Sequence, residues 1–133
     1  MAFQNSNPHT KSQSGQVRSF PAVCEAVREQ IELEAFAEDM EPLAEEVARI
    51  IAEVYMMPGS WQMKIDGQYI PAAMVQQVFN QLENDHVAAV LYRFREVPYE
   101  IRHIKTYLRT ALYNAVFESE ARTTNEFARD HAV

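Results

Sequence analysis

The chain has 133 residues, 47% of them hydrophobic and 11% aromatic, which is enough for one domain with its own core and too apolar for a disordered chain. Nineteen acidic residues against twelve Lys and Arg give a formal charge of −7, and this argues against a freestanding, non-specific nucleic-acid binder, because such proteins rely on a basic field to attract phosphates. A single cysteine excludes a disulfide framework, three glycines leave no room for a Gly-rich phosphate loop, and no apolar run reaches the roughly 18 residues of a membrane span, so a cytoplasmic location is expected.

With few Gly and Pro, and with Ala, Glu, Gln, Leu and Arg dominating the middle, composition favours a mainly α domain. The expectation is a compact bundle of about five helices with one small β-hairpin. Residues 1–19, rich in Ser, Asn, Gln and Thr, read as an unstructured lead. The helical domain then occupies 20–117. Ser19 can cap a first helix with Pro21 near its start and Val23, Val27 and Ile31 facing inward, broken near Glu32.

The next helix is the clearest in the chain, since Leu43, Val47, Ile50, Ile51 and Val54 recur at helical spacing. Asp39 is the expected cap, and Glu41, Glu45 and Glu46 lie in early turns that the helix dipole favours. Met57-Pro58-Gly59 ends it. The period then switches to alternation around Asp66-Gly67, a dipeptide suited to the positive φ angles of a tight hairpin turn, which places a hairpin at 61–70. Trp61, Met63 and Ile65 form its expected packing face, with Trp61 as core or edge packing rather than a binding anchor.

Pro71 opens a third helix with Val75, Val78, Phe79 and Leu82 on one side. Asn84 or Asp85 can cap a fourth, in which Val87, Val90, Leu91 and Phe94 repeat that spacing. Val97-Pro98 breaks the chain before a fifth helix expected from Tyr99 to Phe117. On it Ile101, Ile104, Leu108, Ala111, Leu112 and Ala115 form an apolar stripe, and Arg102, Lys105, Arg109 and Tyr113 form a second stripe about 110° round the helix. Residues 118–133 read as a frayed helix or disordered tail.

Little in this pattern points to catalysis. His9, His86, His103 and His131 are scattered and lack metal-ligand spacing, so neither a metal site nor another cofactor is expected. Carboxylate pairs such as Glu38-Asp39 and Glu45-Glu46 fall on faces expected to be solvated, without the burial that tunes an acid or base. Cys24 reads as a small hydrophobe. Charge is uneven: from Pro21 to Ser60 ten acidic residues meet only Arg28 and Arg49, whereas Glu83 to Arg109 carries five basic residues against four acidic ones. The candidate contact surface is therefore Arg93, Arg95, Arg102, Lys105, Arg109 and Tyr113. It could meet phosphates, an acidic partner, or the acidic helix at Glu41 to Glu53 within the same domain.

Three segments carry a family resemblance: VREQIELEAF leading to a helix ending IIAEVY, the hairpin followed by IPAAMVQQVFNQLENDHVAAVL, and IRHIKTYLRTALYNA. Over residues 25 to 117 the chain resembles the C-terminal domain that follows the winged-helix RepA N-terminal module in replication initiators of Gram-positive plasmids and conjugative elements. The resemblance implies a helical domain similar to the primosomal DnaD type that contacts host replication proteins such as primase. Two departures stand out. No winged-helix module lies within these residues, which is expected either of a liberated module or of one adapted to bind another target, and VLYRFREVPYEIRHI stands where a more polar linker belongs. The expected function is a non-enzymatic protein-interaction module of a mobile element, binding a host or effector protein, with a homo-oligomer left open. Its alternatives are a small inhibitor of a host defence nuclease, of anti-CRISPR type, and a DNA-binding accessory factor using the Arg93 to Arg109 stripe.

Overall fold

The computed structural model describes the backbone of residues 18–95 and 103–130 and the side chains of 18–95 and 103–119. Most of the expected lead (residues 1–17), Ile101 and Arg102 at the expected start of the fifth helix, and residues 131–133 lie outside the described residues. Among those described, five α-helices and one two-stranded antiparallel hairpin make up the mainly α domain that composition predicts.

Helix α1 (Phe20–Gln30) starts where Ser19 Oγ accepts the N–H of Ala22 at 3.3 Å, and it buries Val23, Val27 and the following Ile31 completely. The break falls at Glu32, whose φ of 51° takes the chain out of the helix and into a 3-10 turn at Leu33–Ala35. Helix α2 (Glu41–Met56) is not capped by Asp39. A second 3-10 turn, Glu38–Met40, absorbs Asp39 and feeds α2 through Met40, with Pro42 in the first helical turn where no N–H is missed. Val47, Ile50, Ile51 and Val54 are buried as their spacing predicts, and Ala44, Ala48 and Ala52 join them, so helices pack closely on this side.

Strands β1 (Gln62–Ile65) and β2 (Gln68–Pro71) meet in the expected two-residue turn, with Asp66 at φ 54° and Gly67 at φ 82°. Met63 and Ile65 enter the core, but Trp61 does not: it is 58% exposed. It sits one residue before the strand, in a bend, so the inward parity of Met63 and Ile65 does not reach it. Helix α3 (Ala72–Phe79) is shorter than expected, and Leu82 reaches the core from the turn beyond it.

Helix α4 (Asn84–Arg95) buries Val87, Val90 and Leu91. Asn84 does not serve as its cap. The Asn84 side-chain amide donates instead to the carbonyls of Ile31 (3.0 Å) and Glu32 (3.4 Å), closing the break after α1. At the start of α4 the Glu83 N–H is taken by His86 Nδ1 at 2.9 Å, and the His86 N–H by Asp85 Oδ1 at 2.9 Å.

Among the described residues helix α5 runs over Ile104–Asp130, 27 residues or about 40 Å, past the expected end at Phe117; the expected break at Val97-Pro98 and start at Tyr99 lie outside the described residues. Leu108, Leu112, Ala115 and Val116 are its buried contacts, whereas Ile104 is 37% exposed and leaves the predicted stripe. From Leu108 to Val116 no residue is exposed, because α2, α3, α4 and β1 all pack on this segment. Helix α5 closes the domain against α2, α3, α4 and β1, while α1 packs on α2.

Polar clasps complete the core. Gln30 Nε2 donates to the carbonyls of Phe79 (2.9 Å) and Leu82 (3.0 Å), and the Tyr55 hydroxyl donates to Gln30 Oε1 at 2.9 Å. The buried Gln76 donates to Val54 O (2.9 Å) and Met57 O (2.7 Å) at the end of α2. Each clasp ties a side-chain donor on one element to backbone carbonyls of another, so these buried polar groups are paired.

Candidate functional site

The residues expected to form one basic surface are divided among several neighbours. Arg93 and Arg95, two positions apart in the last turn of α4, point about 200° from each other. Arg93 turns to α5, its Nη2 3.1 Å from Glu118 Oε1. Arg95 turns the other way, with its guanidinium 5.7 Å from the Tyr92 ring centre and Nη1 3.9 Å from Met40 Sδ.

On α5, Lys105 lies about 140° round the helix from Glu118, so it faces away from Arg93. Its Nζ is 3.1 Å from Glu53 Oε1 on α2. The acidic helix thus supplies one of the counter-ions. One turn on, Arg109 is half-buried, and its Nε is enclosed without an acceptor among the described residues. Burial pulls its pKa below the usual arginine value, and the nearby Glu53 carboxylate works against that shift. Tyr113 is half-buried, its ring 5.3 Å from that of Phe117. Arg102 lies outside the described residues.

Both cross-helix pairs are solvent-accessible, with side-chain exposures of 58% and 50% for Arg93 and Glu118 and of 52% and 38% for Lys105 and Glu53. Such pairs contribute roughly 0–1 kcal/mol and exchange partners readily. What the arrangement offers chemically is a set of exchangeable cations on separate sides of α5.

Cys24 faces a cavity of about 320 Å³ beside Phe20, Arg28 and Arg49. Burial raises its thiol pKa and the two guanidiniums oppose that, so the thiol stays protonated rather than becoming an activated nucleophile. Arg28 is engaged elsewhere, through Glu45 at 2.9 Å and Glu25 at 3.0 Å, and the hydrogen bond to Glu45 raises its pKa. A larger open concavity of about 580 Å³ follows α1 into the first 3-10 turn and is lined mainly by Glu25, Glu29, Glu32 and Glu34. Among the described residues no group of three His, Cys, Asp or Glu side chains could hold a metal ion, and no helix is long and apolar enough to cross a membrane.

The sequence pattern did not mark the exposed aromatic side chains. Tyr69 is 68% exposed, Tyr92 65%, Trp61 58%, and Met74 53%. For Tyr69 a signal existed: the Asp66-Gly67 turn sets the register and places it opposite Lys64, on the side away from Met63 and Ile65. For Trp61, Met74 and Tyr92 no such signal existed, because aromatic and sulfur side chains at helix or strand edges read as core until the neighbouring elements are placed.

Neither a curated protein nor a solved structure matches the chain. A family model does match, over residues 6–132, and the chain therefore belongs to DUF6017, a family of unknown function.

Proposed function

We propose that this chain is a non-enzymatic protein-interaction module of a plasmid or other mobile element, acting in the cytoplasm and contacting a host replication protein such as primase. The observation that carries the reading is the set of exposed aromatic residues, Trp61, Tyr69 and Tyr92, each more than half accessible. Aromatic side chains are enriched at protein interfaces, where they bury a large area at low conformational cost. The resemblance of IRHIKTYLRTALYNA and its flanking segments to initiator C-terminal domains supplies the class of partner. The formal charge of −7, together with the division of Arg93 and Lys105 between separate sides of α5, weighs against the DNA-binding alternative, which relies on a continuous basic field.

The test presents the purified chain, in separate experiments, with the primase, helicase and helicase loader of the host, with defence nucleases of that host, and with duplex and single-stranded DNA across a salt series. Binding to a replication protein is expected. Binding to a nuclease alone would replace this reading with the inhibitor one. DNA binding whose affinity falls steeply with salt, without protein binding, would replace it with the accessory-factor one, and no binding in any arm would overturn it.

A further inference from the structure

The carboxamide side chains that are not exposed follow one pattern, with one exception. Gln30 donates to the carbonyls of Phe79 and Leu82, Gln76 to those of Val54 and Met57, and Asn84 to those of Ile31 and Glu32, so each clasps main chain elsewhere in the fold. Asn114, the fourth such residue among those described, is half-buried on α5 and pairs with none of them. Asn is a poor residue for a helix interior, and here no internal hydrogen bond offsets that cost.

Asn114 lines instead a groove of about 210 Å³ between α4 and α5, with Val90 and Ala111 as its apolar lining. Tyr107 and Glu118 are the outermost lining residues on α5, about 16 Å apart along the helix, the length of about five residues of extended chain. Arg93 and Glu118 meet at 3.1 Å, so the groove presents both signs in balance and a segment lying along it needs no charge of its own. The group left free at Asn114 has the donor and acceptor sides of a peptide bond, and its three counterparts use that group to hold main chain. A second copy of the chain is a poor occupant, because two molecules of charge −7 repel.

We propose that the groove between α4 and α5 holds an extended, uncharged segment of a partner protein. The Asn114 carboxamide donates to a main-chain carbonyl of that segment and accepts a main-chain N–H from it, while small apolar side chains rest on Val90 and Ala111. The site rests on the interaction-module reading and gives it a location between α4 and α5.

Random dodecapeptides displayed on phage are selected against the full chain, and the strongest are synthesised and titrated. Selected peptides are expected to share an uncharged stretch with small apolar residues. Their affinity should fall about tenfold or more in Asn114→Ala and in Asn114→Asp, which keeps the shape and loses the donor, and stay unchanged in Lys64→Glu on the hairpin. Methylating the peptide amides one at a time should weaken binding most at one internal position, and that loss should shrink in Asn114→Ala because the two changes remove one interaction. Since Asn114 makes no internal hydrogen bond, Asn114→Ala should melt at the parent temperature or above it. Failure to enrich any peptide, binding indifferent to both Asn114 variants, or a lowered Tm in Asn114→Ala, which would give the side chain an internal role, would overturn the site. Dimers of the chain that depend on Asn114 would overturn it as well, by assigning the groove to a second copy. The two readings separate cleanly: peptide binding through Asn114 without any replication partner removes the initiator-type function and leaves the site. A replication partner indifferent to Asn114→Ala does the reverse.

Discussion

Gln76 provides the sharpest quantitative test of how this domain is held together. It is the one buried amide side chain among the described residues, 8% exposed, and it donates to Val54 O and Met57 O, fastening α3 to the end of α2. Replacing it with Met keeps the volume and removes both donors. Val54 O retains the N–H of Met57 at 3.2 Å, so it is not stranded, whereas Met57 O loses the Gln76 bond and stays partly buried. Two hydrogen bonds at about 1 kcal/mol each set the expected loss near 2 kcal/mol, or about 10 °C in Tm for a domain of about 100 residues.

Gln76→Glu should be worse at neutral pH, because a carboxylate has no proton to offer and faces two carbonyl oxygens in a dry site. Burial without a cation raises the folded pKa of such a Glu above its unfolded value of about 4.3. A group shifted in that direction leaves stability intact below the unfolded pKa and removes it as pH rises through the folded one, so Gln76→Glu should recover toward Gln76→Met near pH 4 and fall behind it by about 2 kcal/mol near pH 7. Urea unfolding followed by far-UV circular dichroism at both pH values reads this directly. The reasoning is refuted if Gln76→Met stays within about 0.5 kcal/mol of the parent, or if Gln76→Glu shows no dependence on pH beyond that of Gln76→Met.

Further expectations come from single side chains. Burial raises the Tyr55 pKa above its ordinary value, against the Gln30 hydrogen bond, so the unfolded phenol ionises first and stability drops as pH rises above about 10; Tyr55→Phe should lose about 1 kcal/mol near neutrality and show a flatter alkaline limb in a pH series of denaturant melts. Gly67→Ala should cost about 1 kcal/mol from backbone strain alone, since φ is +82° and nothing lies within 4 Å of an added Cβ; Gly67→Asn, which tolerates this conformation, should recover part of that loss in the same melt. Arg109→Met should leave stability unchanged or raise it by up to about 1 kcal/mol, because it removes a half-buried guanidinium whose Nε has no acceptor. By contrast, Leu108→Ala, next to it and fully buried, should cost about 2–5 kcal/mol.

Several features were determined by local sequence, and the reason is that short-range chemistry suffices for them. Ser19 followed by Pro21 starts α1 because a side-chain oxygen and a missing N–H suit a helix N-terminus wherever it lies. Asp66-Gly67 makes the hairpin turn because both residues tolerate positive φ, and the spacing of Val47, Ile50, Ile51 and Val54 marks a buried helix face through the 3.6-residue period alone. Tertiary structure decided whatever depends on a neighbour that sequence distance conceals. Asn84 leaves the cap position because two carbonyls some fifty residues away, at the break after α1, offer better partners. Trp61 stays outside because the strand begins one residue after it. The basic stripe, continuous on paper, divides because α2 and α4 lie on different sides of α5 and each supplies or receives its own ion pair: Glu53 takes Lys105, and Glu118 takes Arg93. A helical wheel gives the direction of a side chain, whereas the identity of the element it meets is set by the packing of helices far apart in the chain.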